Sequence, residues 1–239
     1  MKQLANLKNS SKEKTSLAKK TPIAETKPSA LKARKERLAL VSDAKKAHIL
    51  AAAKEVFEEY GLEGANIREI AQRAGYTPGA IYSYFTAKEE IYGALLADSL
   101  ERLNQAVSLH MGSAKTAAQK AERSAMGFYE FYASNPRDLD LGFYLFGGAR
   151  PYGLTPELNQ QLNARLRDSL LHFEHALQEL GATPKVAKEE VTAFFAHCVG
   201  LLILENTHRI RMFQENSAKL CATYITQVIE RVKVKKGKN

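Results

Sequence analysis

Tyr82 and Tyr84 stand two residues apart, so they cannot both lie on one buried helix face, and a phenol left outside can hydrogen-bond an anionic oxygen such as a phosphate. Just before them, Thr77-Pro78-Gly79-Ala80 offers a hydroxyl followed by residues with almost no side chain, which lets another surface approach the backbone closely. Arg68 carries a planar guanidinium that can bind guanine O6 and N7 together, hold a phosphate, or simply pair with its neighbour Glu69. At this level all three stay open. Lys88 adds an ammonium a little further on. The chemistry offered is non-covalent recognition. No Gly-rich phosphate loop follows a strand, no nucleophile motif appears, and the histidines and carboxylates are scattered, so neither an enzyme nor a cofactor is expected. His172 and His175 are three apart but have no acidic or Cys ligand nearby in sequence, so no metal site is expected either. Cys198 and Cys221 fall in apolar helical surroundings and read as reduced, buried thiols.

Such residues need elements to hold them, and the periodicity is helical throughout. Ser42-Asp43 predicts a helix start, after which Ile49, Ala53, Val56, Phe57 and Tyr60 recur at three- and four-residue steps until Gly61. Asn66 then caps a short helix from Ile67 to Ala74, Gly75 permits a tight turn, and Thr77 caps a second short helix over Pro78 to Tyr84 with Pro78 at its first position. Two short helices, a turn with Gly, and small residues at the crossing (Ala71, Ala74, Gly75, Ala80) compose a helix-turn-helix unit. Further helices are predicted from Lys88 to about His110 and over Thr116–Ser134, Pro136–Phe146, Pro156–Leu180, Pro184–Arg211 and Ser217–Lys233. The expected fold is all-α, with about nine helices.

The chain has 239 residues and a formal net charge of +9, but the excess is terminal. Residues 1–42 carry a net +8 and residues 230–239 a net +4, while residues 43–229 carry −3. The first 30 residues are rich in Lys, Ser, Thr and Ala and lack aromatics, so a disordered basic arm is expected over 1–41. They contain no apolar signal core, and the longest apolar stretch, Ala193 to Leu204, is interrupted by His197 and too short to span a bilayer. A cytoplasmic protein without membrane contact is the expectation.

The run from Ile49 to Ile91, with Ala52, Phe57, Gly61, Ile67-Arg68-Glu69-Ile70-Ala71, Ala74-Gly75, Gly79, Ile81-Tyr82, Tyr84-Phe85 and Lys88, resembles the DNA-binding head of the tetracycline-repressor (TetR) family. Two positions depart from the family pattern: Asn66, where Ser or Thr is usual, and Tyr76, where Val is usual. The resemblance implies a head over 42–88, an effector-binding and dimerisation body over 89–233, and a basic tail over 234–239. It implies that Thr77, Tyr82, Tyr84 and Lys88 bind phosphates, that Pro78, Gly79 and Ala80 bring the second short helix against the groove, and that Arg68 reaches base edges. The implied function is a ligand-responsive transcriptional regulator, more a repressor than an activator, that binds a palindromic operator in double-stranded DNA as a homodimer. Its last two helices would form the dimer seam. A body rich in aromatics suits a small, largely apolar effector, with Phe128, Phe131, Tyr132, Phe143, Tyr144, Phe146, Tyr152, Phe173 and His197 as candidate lining and ordinary core packing as their alternative reading. The rival function is a non-specific architectural DNA-binding protein that uses the basic arm.

Overall fold

A computed structural model describes residues 27–143 and 154–236. Among them there are nine α-helices and no strand. The chain divides into two units, one ending at Ala44 and the other starting at Lys45.

The first helix, α1 (Lys27–Gly64), corrects the expected start at Ser42. Leu31 to Leu38 consists of Leu, Lys, Arg, Ala and Glu, all strong helix formers, and their summed propensity outweighs the local capping tendency of Ser42-Asp43. The stretch 27–41 is therefore helical rather than disordered, while residues 1–26 lie outside the described part. Gly61 does interrupt the helix as expected: its φ of 68° and ψ of 175° place a kink before the last turn.

In the second unit, Ile49, Ala53, Val56 and Phe57 of α1 are buried against two short helices, α2 (Ile67–Arg73) and α3 (Pro78–Tyr82). Ile70, Ala71, Ile81 and Phe85 fill the crossing. The second short helix ends at Tyr82 rather than Tyr84, because Ser83 caps it and its hydroxyl donates to the Ala80 carbonyl at 2.7 Å.

Helix α4 (Lys88–Met111) follows, its start held by the Glu90 carboxylate, which accepts from both the amide and the hydroxyl of Thr86. Ile91, Leu95, Leu100, Leu103 and Val107 form its buried face. Helix α5 (Ala117–Ser134) opens on a reciprocal Thr116/Gln119 capping box. Then come α6 (Pro136–Gly142), α7 (Pro156–Glu179), α8 (Pro184–Asn206) and α9 (Ser217–Lys236). Helix α5 sits at the centre, packed on α4, α7 and α9. Helix α6 stops before the expected Phe146, and residues 144–153 lie outside the described part. Helix α8 stops short of Arg211, because His208 adopts a left-handed backbone (φ 57°) and the chain continues as a 3₁₀ turn over Arg209–Phe213. Helix α9 runs past Lys233, so the boundary expected at 234 falls inside a helix.

The expected effector lining is described for six of its nine residues. Phe128, Phe131, Tyr132 and Phe173 are buried, and they meet one another or their neighbours edge to face: Phe128 with Tyr132 at 5.2 Å, Tyr132 with Phe143 at 5.8 Å, Phe173 with Phe194 at 5.0 Å. These rings fill each other's space as a core. His197 does not join them; it stacks on Tyr224 of α9 with ring centroids 4.2 Å apart. Tyr144, Phe146 and Tyr152 lie outside the described residues.

Candidate nucleic-acid interface

The geometry of the helix-turn-helix follows from side chains that satisfy exposed helix ends. Asn66 accepts from the Arg68 and Glu69 amides at 3.0 and 3.1 Å, so it caps α2 as well as the usual hydroxyl would. Its amide group also donates to the Glu69 carboxylate at 2.9 Å. That bond bears on Arg68. The carboxylate nearest in sequence is already engaged, and Arg68 is exposed with no carboxylate partner among the described residues.

At the other end of α2 the Gly75 amide donates to Gln72 and the Tyr76 amide to Ala71, with Gly75 at φ 68°. This is the Schellman arrangement, in which a left-handed residue lets two amides close the helix end. Tyr76, one of the two departures from the family pattern, is half-buried, its ring edge-on to His48 at 5.9 Å. His48 Nε2 lies 3.0 Å from the Ala74 carbonyl, which requires the proton on that nitrogen. Together His48 and Tyr76 fasten the turn to α1. Sequence reasoning missed His48, since nothing local marks a histidine whose partner lies so far along the chain. Arg73, on the last turn of α2, is held by Glu59 at 2.7 Å; the Tyr60 hydroxyl and Arg73 together hold the Glu59 carboxyl below its ordinary range.

Helix α3 begins with the Thr77 hydroxyl accepting from the Ala80 amide at 3.2 Å. Thr77, Pro78, Gly79 and Tyr82 are exposed, Ala80 and Tyr84 half-buried. Tyr84 packs on the core, whereas Tyr82 is 55% exposed, so the two tyrosines part as their spacing requires. A Cβ added at Gly79 would meet only the Thr77 hydroxyl oxygen, at 4.0 Å, so nothing in the fold itself demands a glycine there. Lys88 is half-buried, and its ammonium donates to the Glu63 and Ala65 carbonyls at 3.0 and 2.9 Å. It thus closes the end of α1 from the start of α4. Ala65, Asn66, Ile67, Arg68, Tyr82 and Lys88 line one groove of about 440 Å³. The structure brings together Arg68, Tyr82 and Lys88; Thr77, Pro78 and Gly79 stand on the exposed start of α3, and Tyr84 is turned inward. Two cations and a phenol around one concavity, beside an exposed helix start without bulky side chains, can take up an anionic oxygen and admit a flat partner close to the backbone.

Residues 49–95 match the family model described as bacterial regulatory proteins, tetR family. The chain is 30% identical over 92 residues to the transcriptional activator FasR of Mycolicibacterium smegmatis, a match covering 38% of this chain and 42% of that protein. It is 37% identical over 60 residues to the transcriptional repressor AcnR of Corynebacterium efficiens, covering 25% of this chain and 32% of that one. The matches thus span less than half the length of either relative. The fold resembles that of a tetR-family regulatory protein from Rhodococcus RHA1 with a TM-score of 0.63 and 20% identity, covering 79% of this chain and 96% of the other. No helix among the described residues is long and apolar enough to cross a membrane. With the motif order and the family match in agreement, residues 49–95 of this chain form a head of the tetR family of bacterial regulatory proteins, and the helical body shares the fold of such a protein.

Proposed function

We propose that the chain is a ligand-responsive transcriptional regulator, acting as a repressor, that binds a palindromic operator in double-stranded DNA as a homodimer. The observation that carries this reading is the groove shared by Arg68, Tyr82 and Lys88 beside the exposed Thr77-Pro78-Gly79 start of α3. In this reading α3 enters the major groove by its N-terminal end, Thr77, Tyr82 and Lys88 hold phosphates, and Arg68 reads a base edge. Tyr84 contributes mainly by packing and Gly79 by the room that it leaves. The relatives include both an activator and a repressor; in the repressor reading a small, largely apolar effector releases the protein from its operator.

Dimerisation through α8 and α9 is supported by their exposed faces. Thr192, Ala193, Ala196 and Gly200 on α8, and Ala222, Thr223 and Thr226 on α9, are small and exposed, and a mainly apolar groove of about 510 Å³ runs along Lys185, Lys188, Thr192, Ala193 and Ala196. Effector entry would part the rings around Phe143, which touches both Tyr132 and Phe195. Helix α6 ends at that point, and its two ends are tied to α4: Arg102 grips Asp138 at 2.7 Å, and the Tyr92 hydroxyl donates to the Leu141 carbonyl at 2.6 Å. Arg137 also reaches Glu58 of α1 at 3.0 Å. A displacement at Phe143 is thereby transmitted to the helix that carries Lys88.

Selection of bound duplexes from a random DNA pool tests the proposal. A palindromic consensus whose affinity falls in Arg68→Ala supports it. Recovery of no consensus would favour the architectural rival and refute the proposal.

A further inference from the structure

The head that this reading docks on DNA has no net charge over residues 43–88, and residues 43–229 as a whole are mildly acidic. A neutral head supplies little net long-range attraction to a polyanion, and the sequence-independent part of DNA affinity scales with the phosphates that Lys and Arg neutralise. We infer that residues 31–44 of α1 form a second DNA-contacting element, a basic helix face that binds backbone phosphates. The inference rests on the DNA-binding function proposed above.

Four observations support it. Steps of 100° per residue place Arg34 and Lys35 on one face with Leu31 and Leu38, put Arg37 about 60° beyond Arg34, and group Lys32 with the two carboxylates, Glu36 and Asp43, away from that face. All of these side chains are exposed. Lys32, Arg34, Lys35 and Arg37, like Arg68 of the head, have no carboxylate partner among the described residues and so are free to meet phosphates. Finally, fourteen helical residues extend ~21 Å, about the rise of six base pairs, so several phosphates lie within reach of a single face.

Other partners fit less well. A second copy of the helix would need an apolar seam sustained over several heptads, and the Leu31, Leu38 and Val41 series is broken by Arg34. A membrane surface would need a broad apolar face, yet Leu40, 70% exposed, points to the side opposite Leu31 and Leu38.

The test uses the full chain and the duplex recovered by random-pool selection. Dissociation constants are measured between about 50 and 200 mM salt, and log affinity is plotted against log salt. The variant Arg34→Gln/Lys35→Gln/Arg37→Gln is expected to flatten that slope by roughly 2–3 while leaving the preferred sequence and the melting temperature unchanged. Arg34→Lys/Arg37→Lys, which keeps the charges, and Glu36→Gln/Asp43→Asn, on the far side, should retain the slope. An unchanged slope in the triple variant overturns the inference while the operator reading stands. If instead the wild-type chain selects no DNA at all, the reading beneath it fails as well. Should the same triple variant lose binding to phosphatidylserine vesicles but keep its DNA slope, the face belongs to a membrane surface and the inference is overturned.

Discussion

At Asn66 and Glu69 three hydrogen bonds decide two issues together: how α2 starts and what Arg68 is free to do. Asn66→Ala removes the cap and should cost about 1 kcal/mol in denaturant unfolding. It also releases the Glu69 carboxylate, which can then pair with Arg68. Operator affinity should therefore fall by more than the lost stability explains, and Glu69→Gln in the same background should restore part of it. Gly79→Ala provides the complementary case. The added methyl meets open space, so the melting temperature should hold or rise slightly, while operator binding weakens because the partner occupies that space. A variant that binds as tightly as wild type would remove Gly79 from the interface.

Glycines also separate the helix contacts that this chain makes for itself from those it leaves open. A Cβ at Gly93 would lie 2.6 Å from Leu158, and one at Gly127 would lie 2.9 Å from His110; these glycines let α4 meet α7 and α5 closely. Gly200 sits mid-helix in α8, exposed, with nothing within 4 Å of a Cβ. Helix α6 relies on charge instead. Asp138 is 3% exposed; burial pushes its carboxyl up, but the Arg102 guanidinium outweighs that and holds it below its ordinary range. Because the folded value is depressed, this contribution is present above the unfolded carboxyl value near 3.9 and fades as pH falls through the lower folded value. Asp138→Asn should thus melt well below wild type at pH 7 and converge with it in acid. His197 of α8 carries the opposite charge type. Burial lowers its imidazole below the usual value, only partly offset by the Leu220 backbone, so the unfolded chain takes up a proton first as pH drops. Stability should decline below about pH 6.5, and His197→Gln should flatten that decline in thermal melts at stepped pH.

What the sequence showed at this scale follows a physical division. The caps at Asn66 and Thr77 and the turn at Gly75 depend on residues within a few positions, and they were legible. Ser42 misled because a good cap residue is also tolerated inside a helix of strong formers. Phe128, Tyr132 and Phe173 could not be sorted into pocket or core, since burial depends on which helices meet. The Lys88 bonds to Glu63 and Ala65, and the pair Arg137 and Glu58, join distant segments and leave no local trace.

For the whole molecule, the sharpest expectation concerns oligomeric state. In an isolated chain Gly200→Ala should stabilise α8 by about 0.5–1 kcal/mol through helix propensity. If a second copy packs on Ala193, Ala196 and Gly200, the same methyl intrudes on the partner and the dimer dissociates at higher concentration. Light scattering coupled to size exclusion, paired with thermal melts, reads both signs, and a stabilised variant with unaltered mass would exclude this face from the seam. Lys88 carries a consequence of another kind. A lysine normally surrenders up to about 2 kcal/mol of rotamer freedom when it is pinned against an anion. Here the Glu63 and Ala65 carbonyls already immobilise it when the chain folds, with one N–H still available. A phosphate entering the groove meets an ammonium in place, so docking there carries little ordering entropy.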